Sequence, residues 1–184
     1  MLRVSERRPK GSLRRLARMR QLAPAPSQSN WTILCDFDGT IVLEDVIDNL
    51  LEQFGRPGWE QLEREWRDGR IGSRECMRGQ VALLDMSADE LARHLQDCHI
   101  DPGFPAFVDL ARALDVPLLV VSDGLDHAIH AILGRHGLDG LPVASNQLRQ
   151  VAARGGELGT PFRAAHCNSG TCKCACARQC ASGG

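Results

Sequence analysis

Short apolar runs along the chain alternate with longer stretches in which apolar residues recur every three or four positions. Residues 32–37 (TILCDF), 117–121 (PLLVV) and 141–145 (LPVAS) are short and mostly apolar, which is typical of buried strands. The last two runs flank residues 125–136, which have helical spacing and end at Gly137. Strand–helix units in series predict a parallel sheet with right-handed crossovers, so the chain is predicted to be an α/β protein.

The stretch between the first two predicted strands is predicted to be helical up to Cys98. Ser87, followed three residues later by Glu90, is a capping-box signature for the last helix of this stretch. Another helix is predicted ahead of the second strand. After the third strand, glycines interrupt the pattern over residues 147–162 and indicate a hairpin or a loose excursion. The predicted helical ranges are 43–54, 59–66, 73–84, 88–95 and 105–114.

A charge asymmetry sets residues 1–30 apart from the rest. This stretch holds eight basic side chains against Glu6 alone, a net charge of +7, so the remaining residues carry −8 because the whole chain carries −1. We predict a basic, disordered extension. Three interpretations of it stay open: an organelle presequence, a functional basic arm, or a start codon assigned too early, with Met19 as the true start.

Composition also excludes several classes of partner. The acidic remainder argues against a general nucleic-acid surface, and aromatic residues make up only 4% of the sequence, too few for a platform that stacks bases. The sequence has no apolar run of membrane-spanning length and no signal-peptide pattern. Six of the eight cysteines are not spaced as a secreted disulfide framework. We therefore expect a cytoplasmic protein with reduced cysteines that binds neither nucleic acid nor membranes; the sequence does not indicate its oligomeric state.

The segment Asp36-Phe37-Asp38-Gly39-Thr40 follows an apolar strand and opens a helical pattern. Parallel α/β sheets place ligands at the carboxyl ends of their strands. One carboxylate there can attack phosphorus, and the other can protonate the leaving oxygen and then deprotonate a water. Gly39 allows a sharp backbone turn close to a phosphate. A lone Asp-Gly pair is usually only a turn, but the whole string in this context favours a catalytic site.

This string resembles the first motif of the haloacid dehalogenase (HAD) superfamily. The resemblance implies that Asp36 is the nucleophile, that Asp38 is the acid–base residue and that both bind Mg²⁺. It also implies that a Ser or Thr at the end of the next core strand binds the transferring phosphoryl group, which Ser122 fits. Thr40, and the Asp123-Gly124 turn behind Ser122, are expected to contribute to the phosphate site.

Two later positions extend the resemblance. HAD enzymes need a Lys that holds the nucleophile and phosphate together, and the best candidate is Lys173 in Gly170-Thr171-Cys172-Lys173-Cys174. The run that starts at His166 and includes this Lys is similar to a Cys-rich stretch in the subgroup that contains 2-hydroxy-3-keto-5-methylthiopentenyl-1-phosphate phosphatase. Asn146 resembles an Asn of phosphoserine-phosphatase-like relatives, with an ordinary turn residue as an equal alternative.

A zinc site is the competing interpretation of the C-terminal cysteines. His166 and five nearby cysteines would supply imidazole and thiolate ligands. However, the segment has no C-x-x-C pair. If it is helical, Cys172, Cys176 and Cys180 line one face while Cys174 points away. Small buried residues around a catalytic Lys are therefore the favoured interpretation.

One element of the HAD pattern has no counterpart in the chain. The acidic cluster of the GDxxxD kind, which supplies the remaining Mg²⁺ ligand in that family, is not found after Lys173. The resemblance therefore covers roughly residues 30–178 and predicts a sheet that lacks its last strands and has an unpaired parallel edge. We expect a truncated or frameshifted product of a longer phosphatase gene, with very weak activity or none.

These motifs together predict a type I HAD phosphatase that removes phosphate from a small phosphorylated metabolite through an aspartyl-phosphate intermediate, with Mg²⁺ as cofactor. The resemblance implies a Rossmann-like parallel sheet from residues 31–43 and 101–184, incomplete at the C-terminus, and a helical cap at 44–100. The alternatives within the superfamily are a phosphotransferase or another phosphatase, such as one acting on phosphoserine. From another class, a non-catalytic Cys-rich metal-binding protein or a degenerate HAD fold remains open.

Overall fold

The computed structural model describes residues 31–150 and 153–181, and the extension predicted at 1–30 lies outside these residues. The five helices predicted between residues 43 and 114 are confirmed, with ends that differ by up to three positions. No helix among the described residues is long and apolar enough to cross a membrane. In chain order the elements are β1 (Ile33–Cys35), α1 (Val46–Phe54), α2 (Trp59–Arg67), α3 (Ser73–Leu83), α4 (Ala88–His94), a 3-10 helix (Leu95–Asp97), α5 (Phe104–Ala113), β2 (Leu118–Leu125), α6 (Asp126–Arg135), β3 (Val143–Gln150), β4 (Gly156–Gly159) and α7 (Lys173–Ala181).

The sheet has the order β1-β2-β3-β4, and its first three strands are parallel. Ile33 lies opposite Leu118, and Val120 lies opposite Val143. The predicted α/β fold with a parallel sheet is thereby confirmed. β4 turns back on β3 as an antiparallel hairpin, which the glycine-interrupted pattern had predicted as one of two outcomes.

Two strands extend beyond their predicted ends, which corrects the placement of three polar positions. β2 continues through Ser122 to Leu125, so Asp123 and Gly124 belong to a strand with a register shift against β3 rather than to a turn. The Ser122 hydroxyl accepts the Gly124 N–H at 2.8 Å, a local side-chain bond that replaces regular strand pairing. β3 continues through Asn146 because its second half pairs with β4, so Asn146 lies inside the strand rather than in a turn after it.

β1 lies at one side of the sheet, and among the described residues it pairs with β2 alone. The unpaired parallel edge expected from the sequence is therefore present within this part of the chain. Two apolar side chains lie exposed along it, Leu34 in the strand and Trp31 just before it. An unpaired strand edge of this kind favours association with other chains.

Side-chain caps determine where the helices after β1 begin. α1 starts at Val46 and not at the predicted residue 43, because the Asp45 carboxylate accepts the N–H groups of Ile47 and Asp48 at 3.0 and 3.1 Å. At α4 the predicted capping box is confirmed: the Ser87 hydroxyl accepts the Glu90 N–H, and the Glu90 carboxylate accepts the Ser87 N–H at 2.8 Å.

One hydrophobic core joins the helical segment, residues 46–97, to the sheet. Leu50 and Val81 of that segment are fully buried in the same cluster as Val120 of β2 and Ile132 of α6. Burial of each such side chain contributes about 1.5–3 kcal/mol relative to its exposure to water. Shared burial therefore holds the helical segment against the sheet. The predicted division into a cap at 44–100 and a core stays a prediction.

Arg154 ties the β3–β4 hairpin to the helical segment. Its guanidinium donates to the Asp85 carboxylate at 2.7 Å and to Glu90 at 2.8 Å, and the Gly155 N–H donates to the Met86 carbonyl at 3.2 Å. The Ser87 N–H and hydroxyl, and then Arg154, lower the pKa of Glu90 to about 2. These contacts attach the linker between α3 and α4 to the hairpin.

Candidate active site

Polar residues collect where β1, β2 and β3 approach their carboxyl ends. Asp36 and Asp38 follow β1, Ser122 and Asp123 lie late in β2, and Asn146 lies in β3. This end of a parallel sheet is where α/β proteins bind ligands. The fold thus brings together at one edge side chains that are more than a hundred residues apart in sequence.

The Asp36 carboxylate and the Lys173 ammonium form an ion pair, although 137 positions separate them. Lys173 is the first residue of α7, and its amine donates to Asp36 Oδ2, while Asp36 Oδ1 accepts the Phe37 N–H at 2.9 Å. Both side chains remain accessible, with 41% of Asp36 and 50% of Lys173 exposed. The arrangement presents an oxygen nucleophile next to a fixed positive charge, and solvent can reach both.

The Asp38 carboxylate is held on both oxygens. Oδ1 accepts the Val46 N–H at 3.1 Å, and Oδ2 accepts the Ser122 hydroxyl at 3.3 Å. Burial, and then the negative charge of Asp45, raise the pKa of Asp38 to about 6, against the lowering effect of those two hydrogen bonds. Asp38 can therefore hold a proton close to neutral pH, as a general acid and base must.

Ser122 is fully buried between the acid and the backbone that follows it. Its hydroxyl donates to Asp38 and accepts the Gly124 N–H. A Cβ on Gly124 would lie 2.8 Å from Asp38 Oδ2, closer than real Cβ contacts come, and 3.0 Å from Ser122 Oγ, which is a tight contact. Position 124 must therefore be glycine to let the strand approach Asp38. Phosphate binding by Ser122 and Gly124 stays a prediction.

Asp123 faces neighbouring segments of the chain with both carboxylate oxygens. Oδ1 accepts the Thr171 N–H at 2.6 Å, and Oδ2 accepts the Ser73 hydroxyl at 3.1 Å. Buried Asn146 donates its amide to the Asp123 carbonyl at 2.5 Å, and its own amide oxygen accepts the Thr171 hydroxyl at 3.4 Å. The residue predicted to bind phosphate thus lies in a hydrogen-bonded junction, and its contact with phosphate stays a prediction.

The turn after Asp36 is built as its sequence predicts. Gly39 has a φ of +67°, a conformation that other residues rarely adopt. The N–H groups of Thr40 and Ile41 both donate to the Phe37 carbonyl, at 3.2 and 2.8 Å. Thr40 is exposed at this turn, and its predicted contact with phosphate stays a prediction.

The carboxylates at this edge suit Mg²⁺ better than they suit a closed metal site. Among residues 31–150 and 153–181, no three His, Cys, Asp or Glu side chains lie together so that they could hold an ion. Mg²⁺ binds through one or two carboxylates while it keeps several waters, so accessible Asp36, together with Asp38, fits its needs.

The cysteines behave as the favoured interpretation expects. All eight are free. α7 is helical, Cys172 and Cys176 are buried, and Cys174 is exposed. Cys176 packs in a small cluster with Leu119 of β2, so the cysteine face of α7 anchors the helix that carries Lys173.

Three contributors to the site were missed by the sequence analysis. Asp45 acts on the Asp38 pKa and caps α1; an acidic residue directly before a helical pattern was the signal that could have found it. Ser73 and Thr171 reach Asp123 from 50 and 48 positions away, and no local pattern marks either one.

A family model and several curated proteins match parts of the chain. The family model described as haloacid dehalogenase-like hydrolase matches residues 33–164. The 2-hydroxy-3-keto-5-methylthiopentenyl-1-phosphate phosphatase of Bacillus velezensis is 34% identical over 103 residues, which are 55% of this chain and 44% of that protein. The phosphatase of the same name from Brevibacillus brevis is 32% identical over 116 residues, 62% of this chain and 52% of that protein. The chain thus spans about half the length of these curated relatives.

A solved structure shares the fold. Phosphoserine phosphatase with bound substrate superposes with a TM-score of 0.60 at 22% identity, and the match covers 72% of this chain and 63% of that one. At this identity the likeness concerns the fold alone.

Proposed function

The chain belongs to the haloacid dehalogenase-like hydrolase family, and from that premise we propose that its site removes phosphate from a small phosphorylated metabolite through Asp36. The observation that carries the proposal is the pairing of accessible Asp36 with Lys173, next to a second aspartate that titrates near neutral pH. A nucleophile, a positive charge and a proton donor are the groups that phosphoryl transfer to a carboxylate requires.

The first step forms an aspartyl-phosphate. An Asp36 carboxylate oxygen attacks the phosphorus of the ester and forms a new P–O bond, and the bond from phosphorus to the leaving oxygen breaks. Asp38, protonated near its pKa of about 6, gives its proton to that oxygen, so the product leaves as an alcohol.

The second step hydrolyses the intermediate and restores the site. Asp38, now a carboxylate, takes a proton from a water whose oxygen attacks phosphorus. The bond between phosphorus and the Asp36 oxygen breaks, inorganic phosphate leaves, and Asp36 is free again. Asp38 ends protonated, as it began.

Fixed charges around Asp36 stabilise both steps. The Lys173 ammonium contacts Asp36 Oδ2 and would meet the phosphoryl oxygens as negative charge builds on them. Ser122 keeps Asp38 in place through its hydroxyl. Mg²⁺, when bound to the Asp36 carboxylate and to Asp38, would supply further positive charge between the nucleophile and the phosphate.

The relatives support the proposed substrate class. The curated relatives bear the name of a phosphatase that acts on a small phosphorylated ketone, which supports a small metabolite rather than a macromolecule. Aromatic residues make up only 4% of the sequence, which agrees with this, because a platform that stacks bases needs several of them.

The proposal is tested by hydrolysis of p-nitrophenyl phosphate with Mg²⁺ by the chain and two matched variants. Asp36→Asn should lower kcat at least about a thousandfold, because the nucleophile is removed. Asp109→Asn, which changes an exposed carboxylate of α5 that pairs with Arg112 at the surface, should leave kcat unchanged. Turnover in Asp36→Asn at the rate of the unsubstituted chain would contradict the proposal.

A further inference from the structure

Asp123 is the junction of three segments that the chain brings together from distant positions. One oxygen of its carboxylate accepts the Thr171 N–H at 2.6 Å, and the other accepts the Ser73 hydroxyl at 3.1 Å. Its own carbonyl accepts the amide of Asn146 at 2.5 Å. One side chain of β2 thus contacts the first turn of α3 and the loop before α7.

The contact on the α3 side is close and lies at the start of the helix. Ser73 is the first residue of α3, whose N-cap Gly72 offers no side-chain cap. The next N–H, that of Arg74, donates to the Asn168 carbonyl at 2.9 Å, and a Cβ on Gly72 would lie 2.6 Å from the Cβ of Asn168. A carboxylate near a helix N-terminus is favoured by the helix dipole as well as by this hydrogen bond.

On the α7 side, Asp123 contacts Thr171, which lies close in sequence to Lys173, the cation of the proposed mechanism. Thr171 lies two residues before Lys173, which is the first residue of α7. The loop before it is tightly seated, since a Cβ on Gly170 would lie 2.6 Å from the Asn146 amide nitrogen, and the Cys172 N–H donates to the Phe162 carbonyl at 3.0 Å. The position of this loop therefore determines where the Lys173 ammonium stands relative to Asp36.

We propose that Asp123 is a positioning residue that couples the docking of the helical segment, through Ser73, to the placement of Lys173 on Asp36, through Thr171. This inference rests on the proposed function, because it assigns Lys173 a catalytic role. When α3 is docked, both oxygens of Asp123 are occupied and the loop of residues 168–171 is held. When the contacts with α3 are lost, one oxygen of Asp123 loses its donor and Asn168 loses the Arg74 N–H, so the loop that precedes Lys173 is held less firmly.

The chemistry of the side chain explains why an aspartate suits this position. A carboxylate offers two equivalent acceptor oxygens. On Asp123 one oxygen accepts the Thr171 N–H and, at 3.4 Å, the Asn146 amide, and the other accepts the Ser73 hydroxyl. An amide has one oxygen and would turn a donor toward one of these groups. Hydrogen bonds to a charged acceptor are also stronger than neutral ones.

The first test measures amide hydrogen exchange by NMR on the full chain without substrate, so its result does not depend on activity. Ser73→Ala should speed exchange of the Thr171 N–H by about tenfold, although Ser73 does not touch that group. The matched control is Arg154→Gln, which loosens the other attachment of the helical segment at Asp85 and Glu90 but leaves Asp123 intact. Arg154→Gln should leave Thr171 exchange unchanged.

Two results in this experiment would overturn the coupling. One is a Ser73→Ala variant in which exchange rises within α3 while Thr171 remains as protected as before. The other is equal acceleration at Thr171 in Arg154→Gln, because that would mean general loosening rather than transmission through Asp123. Ser73→Thr, which keeps the hydroxyl, should leave the Thr171 N–H as protected as in the unsubstituted chain. Fast exchange of the Thr171 N–H in Ser73→Thr would also contradict the coupling.

The second test asks whether the effect on catalysis passes through Lys173. Ser73→Ala should lower kcat for p-nitrophenyl phosphate by about tenfold with little change in KM, because Ser73 positions a catalytic group rather than the ground-state substrate. In a Lys173→Met background the same change should have no further effect. A further loss in that background overturns the proposal. If the wild-type chain hydrolyses nothing, the proposed function fails, and the exchange experiment still decides the coupling.

Discussion

Replacing Asp38 with Asn is expected to stabilise the folded chain at neutral and higher pH while it removes the acid–base group. The raised pKa of Asp38 means that the folded protein binds this proton more tightly than the unfolded chain does. Its contribution to stability is therefore fully present below the unfolded pKa of 3.8 and is lost as pH rises through about 6. Above that range the fold carries an unfavourable buried charge that Asn would not carry.

The expected magnitude follows from the pKa change. A rise from 3.8 to about 6 corresponds to about 3 kcal/mol once Asp38 is fully ionised. Near pH 4.5, where folded Asp38 is still protonated, the same linkage gives only about 1 kcal/mol. The asparagine oxygen can still accept the Val46 N–H, so most of the local hydrogen bonding is retained. The stabilisation of Asp38→Asn should thus grow by about 2 kcal/mol between about pH 4.5 and about pH 8.

Urea unfolding of wild type and Asp38→Asn at both pH values measures this difference directly. Other titrating groups are common to both proteins, so their contribution cancels to first order. The control is Asp109→Asn, which removes an exposed carboxylate that pairs with Arg112, and its effect should stay within about 1 kcal/mol at both pH values. A stabilisation of Asp38→Asn that is the same at both pH values, or a destabilisation near pH 8, would refute the reasoning.

Four further outcomes are expected. Gly124→Ala should lower kcat/KM at least about a hundredfold, because the added Cβ would press on Asp38 and Ser122. The matched change Gly134→Ala in α6, whose added Cβ would have no described atom within 4 Å, should instead stabilise the chain by about 0.5–1 kcal/mol in urea unfolding. Lys173→Met should lower kcat about 100- to 1000-fold and change the unfolding free energy by about 1 kcal/mol or less, since the ion pair is half exposed. For an alkyl phosphate, kcat/KM should fall as pH rises through about 6, the pKa of Asp38. Asp45→Asn removes a charge that raises this pKa, so it should move the midpoint of the profile to lower pH. An unmoved midpoint would contradict the assignment of Asp38 as the acid. Arg154→Gln should increase proteolysis of the β3–β4 hairpin, and an unchanged cleavage rate would mean that the Arg154 contacts with Asp85 and Glu90 contribute little to the stability of the hairpin.

Much of the fold follows from local patterns in the sequence. The Ser87 capping box, the apolar β2 run and the helical spacing before Arg135 each specify an element through interactions within a few residues. The strand ends were wrong where tertiary contacts decide them. β3 reaches Gln150 because β4 returns to pair with it, and the far end of β2 is set by the pairing of Leu125 with Asn146 of β3.

In the candidate site too, the features set by neighbouring residues could be predicted from the sequence, and those set by distant residues could not. Asp36 and Asp38 lie two positions apart and follow a strand, so their chemistry could be predicted from this short segment alone. The role of Asp123 as a junction could not be predicted, because its partners Ser73 and Thr171 come from other elements. The raised pKa of Asp38 likewise depends on burial by the folded chain, and the sequence could suggest only its direction.

The central claim is that Asp36 carries the phosphoryl group, and acid quenching of the chain during turnover of ³²P-labelled acetyl phosphate with Mg²⁺ tests it most directly. Borohydride reduction of the quenched protein converts an aspartyl-phosphate to homoserine, which peptide mass spectrometry can locate. The account predicts label on the protein, homoserine at position 36, and neither in Asp36→Asn. Phosphate release without modification of Asp36, or a phosphorylated residue elsewhere in wild type and in Asp36→Asn alike, would contradict it.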